Sequence, residues 1–158
     1  MVQEVIVSAI LIIASVIAVV AFVDAVIPSV YDLSNSYNSL ANNMEDHFKT
    51  AIEIVFTYPE GNNVTVWIKN IGSTNIPLSE LNHCDFYVLS SSSYWNPVFG
   101  SNSTPSWNYT LVNGNGSTWN HGQTIQASTN FDTLPSNSTY QVKFSLYNGV
   151  SASDIFST

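Results

Sequence analysis

Arginine is absent from this chain of 158 residues, and lysine occurs only at Lys49, Lys69 and Lys143, against eleven acidic residues and a formal charge of −8. Proteins that grip nucleic acid do so by neutralising phosphates with cations, so that class of partner is excluded. Cysteine is nearly absent as well. With Cys84 alone there is no intramolecular disulfide, and the fold must rest on packing. Charge of either sign is scarce, at 9%, which would suit a disordered chain if apolar residues were scarce too. They are not: 13% of residues are aromatic and β-branched runs are long, as a packed, strand-rich core requires. Solubility falls to Ser, Thr and Asn, the surface of an exported protein. Once an apolar opening segment is set aside, about 110 residues remain, enough for one modest core and too few for a large multidomain enzyme.

The opening segment, VIVSAILIIASVIAVVAFVDAVIP, has neither a basic n-region nor an A-x-A cleavage pattern, so it reads as retained rather than as a discarded signal. Residues Val5 to Val23 are uncharged and, as a helix, cover roughly 28 Å, about one hydrocarbon thickness. The apolar part is placed at 5–27, with Glu4 at its start and Asp24 near its end. Acids in such positions either pair with a cation or amine on a neighbouring helix or rest at headgroup level, and both readings stay open. Pro28 is expected to kink the helix rather than end it. Beyond it, over 28–50, Val30, Leu33, Tyr37, Leu40, Met44 and Phe48 recur at spacings of three and four. They form one narrow apolar stripe on a polar stem. A stripe of this kind serves self-association or packs on the chain's own second domain.

From residue 51 the period changes to two. Seven strands are expected: AIEIVFTY and VTVWIKN as a hairpin, then CDFYVLS, WNYTLV, QTIQAST, YQVKFSLY and SASDIFS, separated by turn signals. The fold class is therefore a long hydrophobic N-terminal α-helix (1–50) followed by an all-β, immunoglobulin-like β-sandwich (51–158). Five Asn-x-Ser/Thr sequons, at Asn63, Asn102, Asn108, Asn115 and Asn137, all follow the apolar segment and favour an extracellular placement with N-glycosylation. The same asparagines also fit the general Asn, Ser and Thr richness of the chain.

No catalytic constellation is legible. His47, His83 and His121 are scattered. Adjacent His83, Cys84 and Asp85 on a strand would alternate faces, and Cys84 reads as a small core hydrophobe. The loop NGNGSTWNHG has calcium-turn spacing without a carboxylate, and hairpin geometry explains its Asn-Gly pairs. No cofactor or metal is expected. Trp107 and Trp119 are assigned to packing and Trp67 to the face of its strand opposite Val66 and Ile68. Trp95, in a long Ser-rich connection, is the candidate partner surface.

Taken in order, EVIVSAILIIASVIAVVAF, KTAIEIVF, VWIKNIGSTNIP, SELNHCDFYV, WNYTLVNGNGSTWNHGQTIQ and YQVKFSLYNGVSASDIFS resemble archaeal flagellum (archaellum) accessory proteins of the FlaG type over nearly the whole chain. The resemblance implies an uncleaved membrane helix, an archaellin-like exterior sandwich, a stator role, and partnership with the accessory protein FlaF, which contacts the S-layer. It implies no catalytic residue. Within it, IKNIG (Ile68–Gly72) and YNGV (Tyr147–Val150) match as turns, which reads as structural punctuation. The alternative is a principal subunit of an archaellum-like or type IV pilus-like filament, with the apolar helices as its core and Glu4 among the assembly residues. A third possibility, a surface adhesin, would need an aromatic and acidic cluster near Trp95.

Overall fold

The computed structural model describes residues 2–158. A single helix, α1 (Val2–Lys49), takes up the first third of the chain and runs unbroken through Pro28. Its apolar half must satisfy every backbone group internally wherever it leaves water, and a helix does so. Even its hydroxyls are paired within it: Ser8 donates to the Val5 carbonyl at 2.9 Å and Ser15 to the Ile12 carbonyl at 2.7 Å. No residue of α1 is buried in the single chain.

The chain forms two compact units, the first ending at Met44 and the second comprising Glu45–Thr158. In the second, β1 (Ile52–Glu60) and β2 (Asn63–Asn70) form an antiparallel hairpin closed at Gly61, whose φ of 60° is open to glycine without strain. There follow β3 (Ile76–Pro77), a 3-10 helix (Leu78–His83), β4 (Asp85–Leu89), β5 (Tyr94–Trp95) and β6 (Val98–Phe99). The chain is completed by β7 (Ser106–Leu111), β8 (Thr118–Trp119), β9 (Thr124–Asn130), β10 (Thr139–Ser145) and β11 (Ser151–Ser157). One sheet runs β1-β2-β9-β7-β6, a second β11-β10-β4-β5, and β3 pairs with β8.

Strict alternation drives the packing. Val64, Val66 and Ile68 on β2 and Val142 and Phe144 on β10 are fully buried, while their neighbours face outward. Trp107 of the first sheet meets Phe86 and Phe144 of the second at ring-centroid distances of 6.0 and 5.5 Å, in the offset and edge-on geometries aromatic rings prefer. One cluster therefore joins both sheets, the core of a β-sandwich.

The seven expected strands are present as the seven long ones. Four two-residue strands add to them where only loops were expected. IGSTNIPLSELNH is not an irregular loop: it holds β3 and the 3-10 helix. Nor does Cys84 open β4; it terminates the 3-10 helix, its N–H donating to the Leu81 carbonyl. Trp95 lies in β5 rather than in a free loop. Its ring sits 6.1 Å from Phe131 and 6.0 Å from Tyr140, half-buried against the core, because an indole gains more from covering those rings than from solvent.

Candidate functional site

The densest set of tertiary hydrogen bonds outside the sheets surrounds residues 46–51, within the second unit. The last carbonyls of any helix lack intrahelical donors and need partners from elsewhere. Here the turn after β2 supplies them. Ser73 and Thr74 N–H donate to the Lys49 carbonyl at 2.8 and 3.3 Å, and Ile71 and Gly72 N–H both donate to the Ala51 carbonyl at 2.9 Å. Gly72 is needed because a Cβ there would overlap the Ala51 nitrogen and the Lys49 carbonyl. Thr50, also buried, donates through Oγ1 to the Asp46 carbonyl at 2.7 Å and accepts from Asn148 Nδ2 at 3.1 Å.

Asn70 holds that turn in shape. It is fully buried, with Nδ2 donating to the Thr74 and Trp119 carbonyls at 2.9 and 3.0 Å and Oδ1 accepting from Gly72 N–H at 3.0 Å. A buried amide with all its partners in place specifies one geometry, since any other would strand polar groups. Trp119, fully buried beside it, donates Nε1–H to the Gln123 carbonyl at 2.9 Å, and His121 Nδ1 lies 2.8 Å from the Gly72 carbonyl. On the exposed face, Lys49 pairs with Glu45, an interaction that lowers the Glu45 pKa and raises that of Lys49. This arrangement is a structural clasp. It fixes the last turn of α1 to two turns of the sandwich.

Both turns that read as punctuation, IKNIG and YNGV, supply this clasp, through Asn70, Gly72 and Asn148. Sequence reasoning missed these residues and Thr50: the β10–β11 hairpin turn already explains Asn148-Gly149, and only Asn70, in a turn that closes no hairpin, offered a signal.

The other singled-out residues are dispersed. Val30, Leu33, Tyr37, Leu40, Met44 and Phe48 are all exposed on α1, and Glu4 lies in its first turn. All five sequon asparagines are exposed: Asn63 opens β2, Asn108 lies on β7, and Asn102, Asn115 and Asn137 lie in loops. Beside the half-buried Trp95, Tyr94 is 66% exposed. Burial, with Asp85 and Glu80 adding to it against a backbone hydrogen bond at Tyr147, pushes the Cys84 thiol up to about 11, so it stays protonated and a poor nucleophile at neutral pH. Among the described residues no group of His, Cys, Asp and Glu is placed to hold a metal ion.

A long apolar helix followed by this sandwich also defines a known family: archaeal-type flagellin matches residues 3–156, helix and β-domain together. The chain belongs to that family. This archaeal-type flagellin is 36% identical over 165 residues to an uncharacterized protein of Archaeoglobus fulgidus, with 99% of each chain covered. Among solved structures it is similar to the archaellum periplasmic stator protein FlaG of Sulfolobus acidocaldarius, with a TM-score of 0.59 at 22% identity over 68% of this chain and 99% of that one. The FlaF and FlaG stator complex of the same organism gives the same TM-score and covers 89% of that chain. The archaeal flagellum of Methanospirillum hungatei strain JF1 matches with a TM-score of 0.68 at 10% identity, over 95% of this chain and 90% of that one. These likenesses establish the archaellin-like fold, and the family makes the chain an archaellum-related structural protein.

Proposed function

We propose that this archaeal-type flagellin is a membrane-anchored, stator-type subunit of an archaellum apparatus at the archaeal cell surface, with the apolar half of α1 in the cytoplasmic membrane and the sandwich outside. The observation that carries the reading is the division of α1. Its uncharged stretch covers about one hydrocarbon thickness and no more, after which Asp24 and a stem rich in Ser, Asn and Asp begin. A helix wholly enclosed in a filament core has no need to change character at that length. The clasp at residues 46–51 adds mechanical sense, because force entering the sandwich reaches the helix through fixed hydrogen bonds. Self-association through the stripe from Val30 to Phe48 gives the assembly its lateral cohesion. A FlaF-type accessory protein and, beyond it, an S-layer or other envelope protein are the proposed partners, with the β5 edge at Tyr94 and Trp95 as the surface they meet.

A second reading, a principal filament subunit with α1 in the core, is favoured by the likeness to the archaeal flagellum over 95% of this chain, helix included. Fractionation separates the two. The full chain, followed by mass spectrometry in membranes and in sheared filaments, is expected in membranes and nearly absent from filaments. Recovery as a major filament component sinks the stator reading in favour of the second.

A further inference from the structure

The outward face of the first sheet is ordered in rows across its strands. Strand register sets Glu60, Asn63, Asn130 and Ser106 side by side. The next row is Tyr58, Thr65, Ser128 and Asn108, and the one after it is Phe56, Trp67, Gln126 and Thr110. Apart from Tyr58, the first two rows line, with the loop at Gly100, Ser101 and Asn102, a shallow, mostly amide and hydroxyl concavity of about 480 Å³. The third is aromatic where it crosses β1 and β2. Phe56 and Trp67 lie 5.5 Å apart, Phe56 and Tyr58 lie 6.5 Å apart, and Phe56 and Tyr58 remain about half exposed. A β-bulge between Ile54 and Phe56 turns Val55 outward beside them. Rings left in water on an otherwise polar face call for an occupant.

The sequon Asn63-Val64-Thr65 lies on the same face. Asn63 and Thr65 point outward while Val64 is buried, and Tyr58 stands directly opposite Thr65, diagonal to Asn63 and roughly 7 Å away. From the Asn63 row to the Trp67 row is about 13 Å along the strand, the reach of a short oligosaccharide. A pyranose presents an apolar C–H face to the negative face of an aromatic ring and hydroxyls to amides and hydroxyls at its edge. The sheet offers both in that order. Of the other four sequon asparagines, Asn108 shares the Tyr58 row but stands on β7, three strands from it, whereas Asn63 is on the strand next to β1; Asn102, Asn115 and Asn137 lie in loops.

We propose that Asn63 carries an N-linked glycan whose first sugars lie over Tyr58 and extend onto the Phe56–Trp67 pair, so that the glycan covers this face of the sandwich. Attachment forms a bond from Asn63 Nδ2 to the anomeric carbon of a lipid-phosphate-linked oligosaccharide. The anomeric C–O bond to phosphate breaks, the lipid phosphate leaves, and the amide proton passes to a base of the membrane transferase; nothing is oxidised or reduced. The proposal rests on the exterior placement of the sandwich.

The chain itself simplifies the test. With lysines at 49, 69 and 143 and no arginine, trypsin yields a peptide 50–69 that holds the Asn63 sequon alone, while 70–143 holds the other four. In full-length protein isolated from the source cells, peptide 50–69 is expected to carry a glycan mass that Asn63→Gln and Thr65→Val both abolish. An unmodified 50–69 peptide overturns the proposal. If 70–143 is then glycosylated, exterior placement survives; protease accessibility of the sandwich on intact cells checks that placement separately. The seating of the sugars is read by thermal unfolding: Trp67→Ala is expected to lower Tm by about 4 °C more in the glycosylated protein than in the Asn63→Gln background. Equal shifts in the two backgrounds, or loss of self-association on Trp67→Ala in the Asn63→Gln background, overturn the seating and give the face to a protein partner.

Discussion

Asn70 and Gly72 carry more of the architecture than any charged residue of the chain. Replacing Asn70 with Ala leaves the buried Trp119 carbonyl and the partly buried Thr74 carbonyl without their donor, a loss of about 2–3 kcal/mol. Gly72→Ala forces a methyl group into backbone and is expected to cost about 2–3 kcal/mol as an overpacking change. Denaturant titration of the two variants checks both values, and a change below about 0.5 kcal/mol in either shows that the clasp is not rigid. Cys84 gives a pH prediction of definite sign. Its thiol ionises at a higher pH in the folded protein than in the unfolded chain, so its stabilising contribution is complete below the ordinary thiol pKa and lost as pH rises from about 9 to about 11. Tyr147, also raised chiefly by burial, acts in the same direction at the alkaline end. Unfolding midpoints of the native chain should fall over that range more steeply than those of Cys84→Ala, and the folded thiol should resist a disulfide reagent at pH 8.

At the scale of elements, α1 is defined by what it leaves uncovered. With 100° per residue, Val30, Leu33, Tyr37, Leu40, Met44 and Phe48 fall within an arc of about 80°, a seam for one neighbour rather than a face for a core. Replacing Leu33 and Leu40 with Gln should leave helix content intact in detergent and weaken self-association about tenfold or more, each Leu contributing ~1.5 kcal/mol or more on burial. Light scattering that shows an unchanged oligomer assigns the seam to some other partner. This helix was legible in the sequence because an uncharged run long enough to span a bilayer is followed by a three-and-four spacing from Val30 to Phe48, and SASDIFS was legible as β11 because alternation and a preceding Asn-Gly turn agree. β3 and the 3-10 helix were not. Two residues have no period, and Leu78–His83 is held by tertiary contacts, Leu81 fully buried and the Leu78 N–H donating to Ser117, that no local pattern announces. The Trp95 position failed for the same reason: its rings of contact come from Phe131 and Tyr140, more than thirty residues on in the chain. The clasp was legible only as two turns, since hydrogen bonds from residue 70 to residue 119 and from 148 to 50 are closed by the sheets and not by sequence neighbours.

For the whole molecule, the second compact unit begins at Glu45, inside the helix, although the change of period falls at residue 51. The difference is physical. Lys49 and Ala51 supply the carbonyls that four N–H groups of the turn after β2 need, and Thr50 receives Asn148, so the sandwich closes only with the last helical turn in place. The buried cluster itself starts at Ile52 and lies wholly in this unit, which predicts independent folding. A chain beginning at Glu45 should be soluble without detergent and unfold within about 3 °C of the sandwich transition of the full-length protein, since it keeps the core and the clasp alike. One beginning at Ile52 loses every acceptor of the clasp, and its Tm should fall by about 8 °C or more. Equal transitions in the two truncated chains would separate the helix mechanically from the sandwich, and the load path on which a stator-type role depends would have to run elsewhere.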